Sequence, residues 1–535
     1  MKKLISLLMA LSMLAMFAAP ALADAENNSV TYNITQEPPQ MYSIKSTDTT
    51  SFQLFRHLLV GLLTFDQNDQ PIPAVAKDYT VSEDGLTYTF NLRDDAVWQD
   101  GVKVTAKDFE YAWTQLLNPE LACQYAEMAF CIKNAKPYYE KTATREELGI
   151  KVIDDLTLEV ALEYPVAYFP SLMTFGVFMP LRQDICEQYG ESYATDADKF
   201  IGNGPYNMES WQHESELVMV KSDTYFDKDN IKIDKLIAKM VNDASTAFNM
   251  FDTAEFEMIG LSGTTLPLAE AAGYTALQYA DGATFYLEFN CKDPVTSNVN
   301  IRKALGMAIN RQSFCDNILR DHSVPALTYT TPEIMGFGGE KPFADFITVN
   351  YKDADLEQAK VYWEKGLAEL GLTAEEAASK ITLIADDSDV AKEVSAAYQE
   401  YWRAAFGVEV VVENMPFKSR LQRTTDRQFS IVSAGWGPDY NDPMTFLAVM
   451  TTGNGNNTGD WSNEKYDELV AKANLETDLK TRMEYMYEAE SILVEDMGIA
   501  PVYFRNRNYL VADGLEGVYR SAFQDYCFNW ASWAE

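Results

Sequence analysis

Histidine is scarce in this 535-residue chain, with only His57, His213 and His322, far apart and without an HExxH pair. That spacing excludes a zincin-type metal site. His57, inside Phe55-Arg56-His57-Leu58-Leu59-Val60, fits a partly buried helix position better than a ligand. The six cysteines, Cys123, Cys131, Cys186, Cys291, Cys315 and Cys527, form no CxxC pair, so a zinc ribbon or dithiol redox motif is excluded. Cys123 and Cys131 are near enough in sequence to close a local loop, but free buried thiols fit a large core equally well. There is no GxSxG nucleophile elbow, since Gly260-Leu-Ser-Gly is one residue short. Gly453-Asn-Gly-Asn-Asn-Thr-Gly459 lacks both GxGxxG spacing and a following lysine, and reads as a polar loop. Asp227-Lys-Asp229-Asn-Ile231 starts like a calcium loop but fails at its fifth and sixth positions. No carboxylate pair is singled out by spacing as a glycosidase pair. Base is short as well: 43 Lys and Arg against 80 Asp and Glu give a net charge of −37. Such a field excludes nucleic acid and anionic membrane surfaces as partners and attracts cations.

Long apolar runs are absent beyond the N-terminus, so no later segment can span a bilayer. The N-terminus itself has the form of a secretory signal. Lys2 and Lys3 precede an apolar Leu4–Phe17 stretch, and Ala21-Leu22-Ala23 is a small-x-small cleavage site that would leave Asp24 first. No cysteine follows, which argues against a lipid-modified end. The expected product is an exported protein. Hydrophobic content of 47% and aromatic content of 13% exclude a disordered chain. About 510 residues after cleavage imply two or three domains.

Turn signals and strands dominate the first third. Leu86–Leu92 alternates after Asp84-Gly85, and a second strand pair surrounds Asp154-Asp155. Thr105 with Asp108 predicts a capping box, opening a helix whose apolar face is Phe109, Trp113, Leu116 and Leu117. A new strand block starts at Gly202-Asn203-Gly204-Pro205-Tyr206 and runs to Asn290. Beyond 291 the pattern becomes α/β. Helices are expected over 300–308 and 356–370, the second stopped by Gly371. Then strand 381–384, helix 390–406, strand 408–412, helix 417–424 and strand 429–435 alternate, which requires a parallel βαβαβ sheet. Helices 465–473 and 480–494 follow, the latter ending at Gly498, before strands at 500–504 and 509–511.

The last strand of that alternation runs into Gly435-Trp436-Gly437-Pro438-Asp439-Tyr440-Asn441-Asp442-Pro443. Asp439 suits two roles, the cap of the next helix or a partner for a ligand's ammonium group. Open α/β sheets bind ligands past the carboxyl ends of their strands, and Asp439 lies there, which favours the second role.

Four blocks in order resemble the extracellular solute-binding proteins of the oligopeptide and dipeptide type, family 5, which serve ABC importers. They are Gly61–Asp66 with Pro73–Ala76, Ser82–Phe90, Leu92-Arg93, Trp98–Gly101 and Val104–Phe109, then Gly202–Tyr206 with Asn230, then Ile301–Leu305 with Ala308–Arg311, then Gly435-Trp436 with Asp439-Tyr440 and Asp442-Pro443. The resemblance implies a periplasmic-binding-protein-like fold of type II, cluster C. Two α/β lobes would be joined by a two-strand hinge, with an extra α+β domain. The expected division is residues 1–23 as signal peptide; 24–68, 201–290 and 505–535 as lobe I; 69–200 as domain II; 291–504 as lobe III. It further implies a monomer without cofactor or catalytic residues, whose partners are a peptide and the importer's permease subunits. Asp439 would pair with the peptide's α-ammonium group, while Trp436, Gly437, Tyr440 and the polar run Thr47–Ser51, including Thr47 and Thr49, would line the groove. Phe417 falls where an aromatic wall is expected. A base that some peptide-binding members carry before the aspartate is replaced by Ser433. Arg320, Arg420 or Arg423 could hold the carboxylate end instead. The rival readings are the same fold with a nickel complex, oligosaccharide or antibiotic-like solute, and an exported peptidase or other hydrolase.

Overall fold

The computed structural model describes residues 28–523 and 526–534. The expected signal peptide and its cleavage site lie outside the described residues.

Two long antiparallel strands, Leu277–Phe289 and Ile499–Val511, form the middle of an 11-stranded sheet. On one side, Ile431–Trp436 pairs antiparallel with the first of them, then Thr382–Asp386 and Val411–Met415 add in parallel. Helices Asp389–Phe406 and Phe417–Thr425 make the two crossovers, so the expected βαβαβ unit is present. Its middle strand falls at Val411–Met415 rather than 408–412, because Val408 and Val410 are buried in the core beneath the helix before pairing begins. On the other side, Met258–Leu261, Ser29–Asn33, Lys235–Lys239, Glu216–Lys221 and Tyr206–Gln212 follow in that order.

The pairing of the long strands breaks register between Ala280 and Thr284. Asp281, 7% exposed, sits at the break and accepts from Arg505 Nε at 2.7 Å and Arg507 Nε at 2.9 Å. Gly282 follows at φ +71°, and a Cβ there would lie 3.0 Å from the Pro438 ring. A left-handed residue this close to a neighbour has to be glycine. The kink in the sheet therefore touches the loop that carries Asp439.

Residues 76–161 contribute a separate antiparallel sheet, ordered Ala76–Val81, Thr87–Leu92, Thr157–Ala161, Ile150–Asp154. Helix Ala106–Leu116 covers it with Phe109 and Trp113 fully buried, and its capping box is made by Asp108 accepting from Thr105 N at 2.7 Å. Helix Leu356–Leu370 stops at Gly371, φ +65°. Helix Leu479–Asp496 differs from expectation: Met497, φ +47°, makes the left-handed stop, not Gly498. Gly498 is needed for another reason, since a Cβ there would meet the Trp461 ring at 2.7 Å.

One apolar core, including Leu287, Leu305, Trp402, Ile431 and Val502, fills the second half of the chain. The largest core runs from Val30 through Trp98 and Trp113 to Tyr440, Phe446 and Trp461, so the two halves are pressed together. All six cysteines are free thiols. His57 is fully buried in helix Thr49–Leu58; its Nδ1 contacts the Gln53 carbonyl at 3.1 Å, and its Nε2 accepts from Phe528 N at 3.1 Å.

Candidate functional site

Strand Ile431–Trp436 delivers its last residues into the contact between the two halves of the chain. Gly435 lies against the Phe285 ring, which a Cβ would meet at 2.9 Å, while Gly437 faces open space. Thr445 then fixes the loop. Its carbonyl accepts from Trp436 Nε1 at 3.0 Å, and its hydroxyl accepts from Asp439 N at 2.9 Å. The start of the next helix, Met444–Leu447, is met by Asp442 rather than Asp439: Asp442 Oδ1 accepts from Met444 N at 2.9 Å. The Asp439 side chain is thereby left for another use.

That carboxylate meets Tyr125, whose hydroxyl donates to Oδ1 at 3.4 Å. Oδ2 is sealed from solvent and has no hydrogen-bond partner. Burial pushes the Asp439 carboxyl well above the usual carboxylate range, with the Tyr125 bond and the nearby Arg56 guanidinium opposing it. Tyr125 is itself pushed well above a normal phenol by burial and by Asp439 and Asp48. Asp48 caps helix Thr49–Leu58 through Ser51 N at 2.8 Å, and burial raises it to about 6. A small cavity opens on Asp439, lined by Phe52, Phe55, Arg56, Phe65 and Phe175. A second cavity shares Arg56, Phe65 and Thr174 with it and reaches Asn529 and Trp530. An orphaned carboxylate oxygen in an aromatic cavity is a receptor for a cationic donor, because a buried charge is tolerated only when paired.

Of the residues singled out in the sequence, Trp436 joins Asp439 here, its ring 6.0 Å from that of Tyr125. Tyr440 is buried and stacks on Tyr168, with centroids 4.6 Å apart and planes 8° apart. Thr47 is half-buried and Thr49 exposed, flanking the Asp48 cap. Phe417 lies under its own helix's Arg420 guanidinium at 5.0 Å. The arginines considered for a carboxylate are engaged with acids: Arg320 with Glu393 at 3.1 Å, Arg420 with Asp386 at 2.9 Å, and Arg423 with Glu413.

Nothing in the sequence pattern marks Tyr125, Phe52 or Phe175 for this site. Tyr125 stands in an irregular segment with no periodicity, and its partner is 314 positions away. Tyr168 and Arg482 were also unmarked. Arg482 holds Asp442 with two bonds of 2.8 Å and lies 5.8 Å over the Tyr168 ring.

Residues 70–458 match the family model "Bacterial extracellular solute-binding proteins, family 5 Middle". The oligopeptide-binding protein OppA of Bacillus subtilis is 32% identical over 91% of this chain and 89% of its own. A solved structure of Listeria monocytogenes OppA bound to peptide superposes with a TM-score of 0.90 at 30% identity, covering 96% of this chain and all of that one. The murein tripeptide binding protein MppA of Escherichia coli gives 0.88 at 26% identity, over 96% of this chain and 99% of that one. MppA in its unliganded open form gives only 0.61, at 25% identity over 95% and 98%. The present arrangement is therefore far from that open form and close to the peptide-bound one. Among the described residues no helix is long and apolar enough to cross a membrane. The fold is α/β and periplasmic-binding-protein-like, and the chain belongs to the bacterial extracellular solute-binding proteins of family 5.

Proposed function

We propose that this protein is the substrate-binding component of an ABC importer, capturing peptides between its two halves and holding their ammonium end on Asp439. The observation that carries this reading is the Asp439 carboxylate, closed in with Oδ2 unpartnered. An α-ammonium group supplies the missing donor and the missing charge together. Such a charge-assisted bond contributes about 1.5–3 kcal/mol. Gly437, open on its Cβ side, lets an extended peptide backbone approach. Tyr440 supports the site by joining the halves through Tyr168, and Phe417 is proposed as an aromatic wall of the groove.

The proposed lobes meet where the chain crosses near residues 290 and 505, on the two long strands, and the register break between Ala280 and Thr284 supports bending of that pair. Opening then bends these two strands and parts the contacts that press the halves together, the stack of Tyr168 on Tyr440 among them. The protein acts as an exported monomer, and it delivers peptide intact to its permease. Incubation with a mixture of tripeptides, followed by native mass spectrometry, tests the reading. A receptor carries intact peptides, whereas release of fragments would establish a peptidase instead.

A further inference from the structure

The Gly453–Gly459 loop, which matches no phosphate-binding spacing, is built as a rigid block. Asn457, 1% exposed, donates to the Thr451 carbonyl at 3.1 Å and the Trp461 carbonyl at 2.8 Å, and accepts from Trp461 N at 3.1 Å. Thr458 Oγ1 donates to Glu288 Oε1 at 2.9 Å, tying the loop to the long strand Leu277–Phe289. The other side of the loop grips residues 124–127. Gln124 Nε2 donates to the Gly455 carbonyl at 3.2 Å, Asn456 Nδ2 donates to the Gln124 carbonyl at 3.4 Å, and Asn454 Nδ2 donates to Glu127 Oε2 at 2.9 Å. A Cβ at Gly455 would stand 2.8 Å from Gln124 O and 2.9 Å from its Cα, so main chain meets main chain there only because residue 455 is glycine.

The two sides of this contact lie on opposite sides of the hinge strands. Residues 124–127 precede Leu277–Phe289, whereas 454–456 lie between the two long strands. None of the three bonds uses Asp439 or a residue lining its cavity. The grip also holds Gln124, the neighbour of Tyr125, beside the ammonium site.

We infer that the Gly453–Gly459 loop is a ligand-independent clasp, which keeps a fraction of the empty protein closed and slows ligand release. A bistable hinge with a closed-state contact of its own has a populated closed form before any ligand arrives. The part of this inference that concerns release rests on the peptide reading, but the empty-protein equilibrium does not.

Small-angle X-ray scattering of protein stripped of ligand in guanidinium and refolded tests it, with wild type, Gly455→Ala and Glu127→Ala. Glu127→Ala leaves the loop untouched and removes only the acceptor on the facing half. Both variants are expected to have a larger radius of gyration than wild type when empty, with unchanged thermal midpoints. If tripeptides bind, their release from Gly455→Ala should be about 10-fold faster, equivalent to about 1.4 kcal/mol. Identical scattering of empty wild type and Glu127→Ala would overturn the clasp. So would a fall in the thermal midpoint of Glu127→Ala, which would make the contact part of the fold itself. Scattering without ligand decides the matter even if no peptide binds, in which case the peptide reading alone fails.

Discussion

Tyr125 and Asp439, 314 positions apart, meet at 3.4 Å where the two halves of the molecule close, and the phenol is the sole hydrogen-bond donor found on the carboxylate among the described residues. Replacing Tyr125 by Phe leaves both carboxylate oxygens without a donor in the empty closed form. An unsatisfied buried acceptor costs about 1–3 kcal/mol, so the empty closed form should become rarer. Scattering is the readout, with a larger radius of gyration expected for empty Tyr125→Phe. An unchanged radius would mean that Tyr125 does not support closure.

Closure of the empty cleft should also be linked to protons. In the closed form burial holds the Asp439 carboxyl well above its ordinary value, whereas solvent in an open cleft restores a value of about 4. Between those limits the closed form binds a proton that the open form does not. Low pH therefore favours empty closure, and the penalty on closure grows as pH rises above about 4. Asp48, raised to about 6, acts in the same direction to the extent that opening exposes it, while the Arg56 guanidinium opposes the shift at Asp439. A bound ammonium takes the proton's place. The radius of gyration of empty protein should fall between pH 8 and pH 5, and fall less in Asp439→Asn. Parallel profiles for the two proteins would remove Asp439 from the linkage.

His57 titrates with the opposite consequence for the whole fold. Burial lowers it from 6.5 to about 4, with Arg56 adding to the effect and the Gln53 carbonyl opposing it. A folded-state value below the unfolded one gives stability that is present above pH 6.5 and is lost as pH falls through about 4. On the order of 3 kcal/mol is at stake at about 1.4 kcal/mol per unit. Urea unfolding at pH 7 and at pH 4 should show a smaller loss in His57→Gln, whose amide can replace both ring hydrogen bonds. Equal losses would place the acid sensitivity elsewhere.

Arg482 pairs with Asp442 through two 2.8 Å bonds, and both side chains are nearly buried, at 10% and 12% exposure. Arg482→Met leaves Asp442 without its countercharge, with only the Met444 N–H still donating to it, at a cost of about 3 kcal/mol. Adding Asp442→Asn removes the stranded charge and should recover part of that loss. Chemical denaturation of the single and double variants checks this. A single variant as stable as wild type would show that the pair contributes nothing to the fold.

Much of the architecture is legible along the chain because the strands and helices of residues 381–436 obey simple periodicity, and periodicity is a local property. The position of Asp439 at a strand's exit follows from that alternation. Its surroundings do not: Tyr125 and Phe175 come from irregular segments without a period, and Phe52, though on helix Thr49–Leu58, reaches Asp439 only through tertiary packing. Glycines divide in the same way. Gly371 ends a helix by its own backbone freedom, which is readable from pattern. Gly455, Gly498 and Gly282 are required by what approaches them from distant parts of the chain. The charge partners of Arg320, Arg420 and Arg423 were hidden for the same reason, because ion pairing is decided by tertiary position.

The ammonium anchor is tested most directly by titrating wild type and Asp439→Asn with a tripeptide mixture and with the same mixture N-acetylated, read by native mass spectrometry. Wild type should bind the free-amine mixture at least 10-fold more tightly than the acetylated one, a difference of about 1.4 kcal/mol or more, and Asp439→Asn should lose most of that preference. Equal binding of the two mixtures by wild type would contradict the assignment of Asp439 to the peptide's ammonium end.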